Sequence, residues 1–310
     1  MDYIELSLQI DEFDFYSIVE QKGSKLTKSI YPNGIEWFHG EMKNLRIGTN
    51  GTRLKIKGSL NKFLNGHNLR NIGIKEVEQS IRIFEREFGV SFQLAEVLKL
   101  ELGVNVLLNY PPVVYNKVLG EHPRLFRYEA SSGLYYFPNA KRKNQHKLLR
   151  FYDKANEARK VAKIHFKNPK LLRYEMMLSA KEIEILAKRK LTAYDLFDPQ
   201  IYCLIVDKAI SEFQKIEILH LPRFKPPESL KDFNNLLRCK GVESVGSKTL
   251  SDMIREWQTR KIFSSTIACR CRDTLRKANA FFKSNTLNDS EDLGIELSTK
   301  LLDELDALKS

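Results

Sequence analysis

A chain of 310 residues with 51 lysines and arginines against 39 acids carries a formal net charge of +12. That excess suits an anionic polymer as partner, although a basic protein with no such partner has the same composition. No apolar run approaches the ~20 residues of a membrane span. No signal peptide is read at the acidic, strand-like start, and Cys203, Cys239, Cys269 and Cys271 lack the spacing of a zinc site or a disulfide framework. The expectation is a protein of about two domains with reduced thiols, working in the cytoplasm where it is made.

In chain order, Tyr3 to Ile10 alternates apolar and polar residues with the period of a half-buried strand. Ile35 to Met42, Leu45 to Ile47 and Arg53 to Lys57 read as further strands, the last two joined by the tight turn Thr49-Asn50-Gly51-Thr52. Gly58 to Gly73 reads as a loop. Val77, Ile81, Phe84 and Phe88 then recur on one face of a helix predicted from Ile74 to Phe88. A strand rich in Val and Leu follows from Val97 to Leu108, broken by Gly103 and ended by Pro111-Pro112. A short helix fits between Pro112 and Gly120. Leu134 to Phe137 and Lys147 to Tyr152 pair as a hairpin across the basic loop Ala140 to His146. Asn156 to Ile164 reads as a helix, Leu171 to Leu178 as a strand and Ala180 to Arg189 as a helix.

This order lacks βαβ regularity. It predicts an α+β domain over residues 1–220, a mixed or antiparallel sheet with flanking helices. Strand patterns vanish past Pro199. A helix from Ile201 to Ile218 and a proline-rich linker from Leu221 to Pro227 lead to helices at Ser229 to Arg238, Ser247 to Gln258 and Thr266 to Phe282. These make a smaller, basic, all-helical domain over residues 228–284. Residues 285–310 hold seven acids and two lysines and read as an acidic tail, a marginal helix or a flexible segment.

Tyr152 is the candidate nucleophile. A phenol has an ordinary pKa of about 10 and attacks poorly until cations or a base favour its phenolate. On a strand, Arg150 and Lys154 would project to the same face as Tyr152. That arrangement lowers a phenol pKa and grips a phosphate; a core tyrosine between two solvated bases is the plain alternative. Glu101 and Glu175 each interrupt an otherwise apolar strand, where an ionised carboxylate is costly unless it is paired or bound to a metal. Brought to one sheet, they would hold a hard divalent cation, Mg2+ or Mn2+, that polarises the scissile phosphate. The alternative for each is a salt bridge, Glu175 with an arginine for example, or exposure to solvent. Gly58 to Asn68 is rich in backbone donors and reads equally as a phosphate cradle or as a plain connection. The chain has no HxH, HExxH or GxxxxGKS spacing, which argues against a zinc hydrolase and an ATP-driven enzyme.

Four ordered segments carry a family resemblance. Lys62-Phe63-Leu64-Asn65-Gly66-His67-Asn68 is similar to a Gly-His-Asn loop, and Val97 to Glu101 to a strand ending in an Arg-Ile-Asp type motif. Leu148 to Glu157 is similar to a strand and helix start that carry a nucleophilic tyrosine. Leu171 to Asp198 is similar to an Arg-aromatic-Glu strand followed by a helix and a Leu-Phe-Asp segment. Together, over roughly Lys55 to Pro199, they resemble the replication initiators of filamentous phages, the gene II proteins, and related rolling-circle plasmid initiators. Glu101 stands where the family usually presents aspartate, and the paired histidines of the larger nuclease superfamily are not visible.

The resemblance implies a metal-dependent, site-specific DNA endonuclease in the cytoplasm of a bacterial host. It would nick and religate one strand at an origin presented single-stranded or as a hairpin. Tyr152, assisted by Arg150 and Lys154, would leave a 5′-phosphotyrosine and a free 3′-hydroxyl, with a host polymerase or helicase as protein partner. Glu101, Glu175 and a third ligand, Asn105, would hold Mg2+ or Mn2+. DNA contacts are expected from Lys62, His67 and Asn68, from Lys141 and Arg142 in the basic loop, and from Arg270, Arg272 and Arg276 in the helical domain. A relaxase of a conjugative element would use the same chemistry. A catalytically silent, sequence-specific DNA-binding regulator would bind without forming a covalent product. An RNA-binding role ranks last, because no exposed aromatic trio is evident on the sheet.

Overall fold

The computed structural model describes residues 1–10, 27–32, 34–138, 147–162, 170–219, 229–285 and 292–309. Lys141, Arg142 and the proline-rich segment 221–227 lie outside the described residues. The strands are β1 (Tyr3–Gln9), β2 (Thr27–Ile30), β3 (Glu36–Met42), β4 (Leu45–Thr49), β5 (Arg53–Ser59), β6 (Glu96–Leu107), β7 (Phe126–Ala130), β8 (Gly133–Phe137), β9 (Lys147–Asp153) and β10 (Leu171–Ser179). They form one open antiparallel sheet in the order β2-β3-β4-β5-β1-β6-β10-β9-β8-β7. The predicted α+β class and antiparallel sheet therefore stand.

Strand alternation gives this sheet two unlike faces. On one face, Ile4, Leu6, Ile56, Leu100, Leu102, Val104, Tyr174, Met176 and Phe151 are all buried. Helices α1 (Leu60–Asn65), α2 (Ile74–Phe88), α3 (Pro112–Tyr115), α4 (Lys154–Ala162), α5 (Ala180–Ala187) and α6 (Pro199–Gln214) follow the strands in the chain. The α6 helix packs on the apolar face, where Phe213 lies 6.3 Å from the Phe151 ring and 6.1 Å from that of Tyr174. The Tyr174 hydroxyl donates to Ala209 O at 3.1 Å. Asp198 caps the N-terminus of this helix, accepting from Gln200 N and Ile201 N, with Pro199 at the first helical position. The opposite face of the sheet carries charged residues together with Tyr3, His39 and Tyr152, in register from β3 to β9.

The segment Gly58 to Gly73 is not all loop. Ser59 caps α1 by accepting from Lys62 N at 3.1 Å, and Gly66 ends it in the left-handed region at φ 74°. The α2 helix spans Ile74–Phe88 as its periodicity predicts, with Val77, Ile81 and Phe84 fully buried.

Residues 1–219 and 297–310 form one unit and residues 220–296 a second. The second unit contains α7 (Leu230–Val245), α8 (Ser247–Thr259) and α9 (Ser265–Asn285). In it the Cys239 thiol donates to Ala278 O across α7 and α9 at 3.1 Å. The stretch read as an acidic tail is corrected in part. Leu293–Ala307 is a helix, α10, and from Leu297 onward it belongs to the first unit, with Leu297, Leu301 and Leu305 fully buried. Its leucines recur every four residues, so the acids take the other faces and the helix has an apolar seam to bury.

Candidate active site

Register brings the site together. On β10, Arg173 faces Asn105 and Glu175 faces Gly103 of β6. On its other side, Arg173 faces Tyr152 and Glu175 faces Arg150 of β9. Tyr3 of β1 lies opposite Glu101. All of these residues share the polar face of the sheet, so Tyr152 and both predicted carboxylates meet as the sequence suggested.

Arg173 is the hub. Its side chain is 1% exposed, and every edge of its guanidinium is used. Nε donates to Glu175 Oε1 at 2.7 Å, Nη1 to Asn105 Oδ1 at 2.8 Å and to Asn68 O at 3.3 Å, and Nη2 to Asp2 Oδ2. A buried cation is tolerable only with this degree of compensation, and the planar fork of arginine supplies it. Asp2 is in turn held by Ser59 Oγ at 2.6 Å and Asn68 Nδ2 at 3.2 Å. Burial alone would raise the Asp2 and Glu175 pKa values, but Arg173 beside both, with Arg150 beside Glu175, holds each below the usual carboxylate range.

The second guanidinium bridges the carboxylates. Arg150 Nη2 contacts Glu101 Oε2 at 3.4 Å and also contacts Glu175 Oε2, and Lys99 Nζ meets Glu101 Oε1 at 3.0 Å. The Tyr152 hydroxyl donates to Glu175 Oε1 at 2.9 Å. Burial first, and then the Glu175 carboxylate, pushes the phenol above its ordinary value. Arg173 lowers it in part, but less than burial and Glu175 raise it, so the expected net lowering by cations is corrected. Lys154 also departs from its expected place. The strand ends at Asp153, so Lys154 opens α4, fully buried, with Nζ 2.5 Å from Glu157 Oε2 and 5.7 Å from the Tyr152 ring centroid. It reaches the phenol by turning into a helix rather than by strand alternation.

A cleft of about 660 Å³ opens on this face, lined among others by Tyr152, Arg150, Glu101, Glu175, Lys62 and Asn68. The turn Ser131-Ser132-Gly133 forms one wall. Gly133 has φ 147°, and a Cβ there would stand 2.8 Å from Tyr152 Cβ, so only glycine lets the turn lie against the tyrosine. Tyr135 lines the same cleft, its hydroxyl 2.8 Å from Ser132 Oγ. Tyr136 points to the other face, buried, donating to Gly120 O.

The remaining expected site residues divide. Lys62 and Asn68 reach the cleft, but His67 does not line it, and its buried Nδ1 has no hydrogen-bond partner among the described residues. Asn105 is corrected as a metal ligand, because its amide oxygen accepts from Arg173 and its nitrogen donates to Asn68 O at 3.2 Å. Arg270, Arg272 and Arg276 all lie on α9. They do not form one face, since residue 270 stands roughly 200° around the helix from residue 272. Among the described residues no three His, Cys, Asp or Glu side chains come together. Glu101 and Glu175 converge on one cationic atom, Arg150 Nη2, which stands where a divalent ion shared by the two carboxylates would have to sit. Such an ion is commonly held by one or two carboxylates, with water and substrate phosphate completing the shell. Asp2 was missed by sequence reasoning; its partner Arg173 is 171 positions away, and no local pattern links them.

No curated protein matches the chain at a significant level. A solved structure similar to parts of it is the di-domain ARO/CYC BexL from the BE-7585A biosynthetic pathway, at 10% identity over 69% of this chain and 97% of that one. Its TM-score of 0.21 carries no argument. A family profile for the N-terminal region of the phage replication-associated protein, the gene II product, matches residues 38–197, just over half of the chain. That span holds Lys62, Asn68, Glu101, Arg150, Tyr152, Arg173 and Glu175, and by this match the chain belongs to the phage replication-associated protein family typified by the gene II product.

Proposed function

We propose that this replication protein nicks and reseals one DNA strand at an origin, with Tyr152 as nucleophile. The Tyr152 oxygen forms a bond to phosphorus as the bond from phosphorus to the 3′-oxygen breaks, leaving a 5′-phosphotyrosine and a free 3′-hydroxyl. Glu175 takes the phenol proton across 2.9 Å, and the departing 3′-oxygen gains one, so charge and protons balance. Resealing runs the same exchange backwards and needs no nucleotide. The raised phenol pKa makes this base necessary, since free phenolate is scarce at neutral pH. Arg150, partly exposed to the cleft, is placed to bind the phosphate and to stabilise charge developing on its non-bridging oxygens.

Glu101 and Glu175 would hold a Mg2+ or Mn2+ ion, whose chemistry when bound is Lewis-acid polarisation of the phosphate. Lys62 and Asn68, with Arg272 and Arg276 in the second unit and Lys141 and Arg142 outside the described residues, complete the proposed DNA contacts. The free 3′-hydroxyl would serve a host polymerase.

The observation that carries this reading is the hydrogen bond from the Tyr152 phenol to a carboxylate held ionised by two arginines, at the edge of an open cleft. The test is a labelled single-stranded origin oligonucleotide incubated with protein and Mn2+. The unaltered chain should form a protein-linked adduct, and Tyr152→Phe should form none. An adduct on the Phe variant removes the assignment. A catalytically silent regulator on the same fold is the second reading, favoured by the engagement of every site acid in ion pairs; it expects tight binding and no adduct from either protein.

A further inference from the structure

The polar face of the sheet does not stop at the cleft. Beyond β1 it continues over β5, β4 and β3, and there it carries a second cavity of about 590 Å³. Register places His39 opposite Gly48, Gly48 opposite Lys55, and Arg46 opposite Lys57. Trp37, two residues before His39, shares that face. The Trp37 and His39 rings are nearly parallel, 15° apart with centroids at 6.4 Å, and Tyr31 meets Trp37 edge-on at 6.4 Å. Lys55 Nζ lies 5.0 Å from the Trp37 ring centroid.

Gly48 makes the arrangement fit. A Cβ there would stand 3.1 Å from His39 Nδ1 and 3.5 Å from Trp37 Cε3, so both rings lean over a strand position with no side chain. The exposed aromatic group that the sequence did not reveal is thus present. Trp37 and His39 are half-buried and Tyr31 is exposed, leaving ring surface open to a ligand.

We propose that this patch binds single-stranded DNA, stacking bases on Trp37 and His39 while Lys55 and Lys57 hold phosphates. Rings beside cations are what sequence-tolerant single-strand sites use, because every base has a stacking face and every linkage a charge. Two acids, Glu5 and Glu41, also line the cavity, and Arg46 offsets Glu41 at 3.8 Å. Glu5 faces Lys57 and Lys99 across its two neighbouring strands. The patch is continuous with the nicking cleft, since Tyr3 lines the cleft and Glu5, two residues on, lines the patch. From β3 to β9 is six strand spacings, about 29 Å at roughly 4.8 Å each. That is room for about eight nucleotides at a stacked rise of about 3.4 Å. The inference deepens the nicking reading by giving a path for the strand beside the cut, and it rests on DNA being the partner.

The test uses the full chain carrying Trp257→Phe, which leaves Trp37 as the sole tryptophan, and a 12-nucleotide oligo(dT) titrated with fluorescence. Quenching of Trp37 on binding is expected. Trp37→Ala should weaken binding roughly tenfold, and Trp37→Phe should retain most of it. The double variant Lys55→Ala/Lys57→Ala should lower the salt slope by about one to two units. Saturating oligonucleotide that leaves Trp37 fluorescence unchanged overturns the proposal, as does equal affinity in the Ala and Phe variants. Preference for oligo(rU) over oligo(dT) overturns DNA as the occupant. The two readings separate cleanly: quenching without any Tyr152 adduct sinks the nicking chemistry and leaves the binding path standing.

Discussion

Gly103 lies beneath the Arg173 guanidinium. A side chain at 103 would begin 2.9 Å from Arg173 Cζ and closer still to Nη2, so the break in an otherwise Val- and Leu-rich strand is the floor on which the hub of the site rests. Gly103→Ala should therefore displace Arg173 from Asp2, Glu175 and Asn105 together. The expected loss is about 1–3 kcal/mol, the usual cost of overpacking, with a larger proportional loss of adduct formation. Denaturant midpoints and single-turnover nicking measure the two. A variant that keeps wild-type stability would show that the guanidinium can move without loss.

Glu175 answers to two arginines and one phenol. Glu175→Gln keeps the shape and removes the charge, leaving Arg173 buried with Asp2 as its remaining carboxylate. Breaking a buried pair by removing one partner costs about 3–5 kcal/mol, and urea titration should find a loss of that order. The same change removes the main electrostatic cause of the raised phenol pKa. An ultraviolet titration comparing Glu175→Gln with Glu175→Gln/Tyr152→Phe should place the Tyr152 transition lower than in the parent protein.

The elements that bury a regular stripe were legible in the sequence. The α2 helix shows Val77, Ile81 and Phe84 at helical spacing, and all three are fully buried. Strands β2 and β7 were missed because they bury almost nothing; all four residues of β2 are exposed, so no apolar period marks it. The α1 helix was missed because it is six residues long and its signals are caps, Ser59 and Gly66, set in a polar stretch. In the site, Tyr152, Arg150 and Glu175 were legible because polar residues at period two in apolar strands must share a face. Asp2 and the Trp37–His39 pair were not, because each depends on neighbours several strands away. Lys154 was placed near the phenol for the wrong reason: the face argument carried the strand past Asp153, an N-cap residue whose carboxylate accepts from Asn156 N at 2.8 Å and starts the helix.

Glu212 is 1% exposed and neutralised by Lys147 at 2.7 Å, Lys215 at 2.8 Å and Lys208 at 3.2 Å. Burial would raise its pKa, but these lysines, Lys147 and Lys215 foremost, bring it down to about 2. A carboxyl depressed in the folded state stabilises fully above its unfolded pKa, about 4.3, and loses that contribution as pH falls toward 2. The stability at stake is on the order of 3 kcal/mol. Thermal melts from pH 6 to pH 2 should drop steeply below about 4.3, and Glu212→Gln should start lower and fall less. Parallel curves for the two proteins would remove Glu212 as the source.

Tyr152 and Glu175 titrate as a pair. The form that the proposed nicking reaction needs is a protonated Tyr152 donating to an ionised Glu175, and that form dominates from below the usual carboxylate pKa to above the usual phenol pKa. Single-turnover adduct formation at saturating DNA should therefore be nearly flat from about pH 5.5 to 9. A rate climbing about tenfold per pH unit would mean that hydroxide, not Glu175, makes the phenolate.

Arg272 and Arg276 are one turn apart on α9, whereas Arg270 stands on another side. Arg272 also donates to Gln258 at 2.5 Å, and Arg276 pairs with Asp273. If this helix meets DNA in the way a basic helix can, only one side of it can lie against phosphates at a time. Arg272→Ala/Arg276→Ala should then lower the salt slope of origin binding by up to about two units, and Arg270→Ala alone should leave it unchanged. The reverse pattern would turn the helix over, with Arg270 toward DNA. Unchanged slopes in both variants would take α9 out of the interface, because a neutralised phosphate contact must release its counterion whatever the sequence beneath it.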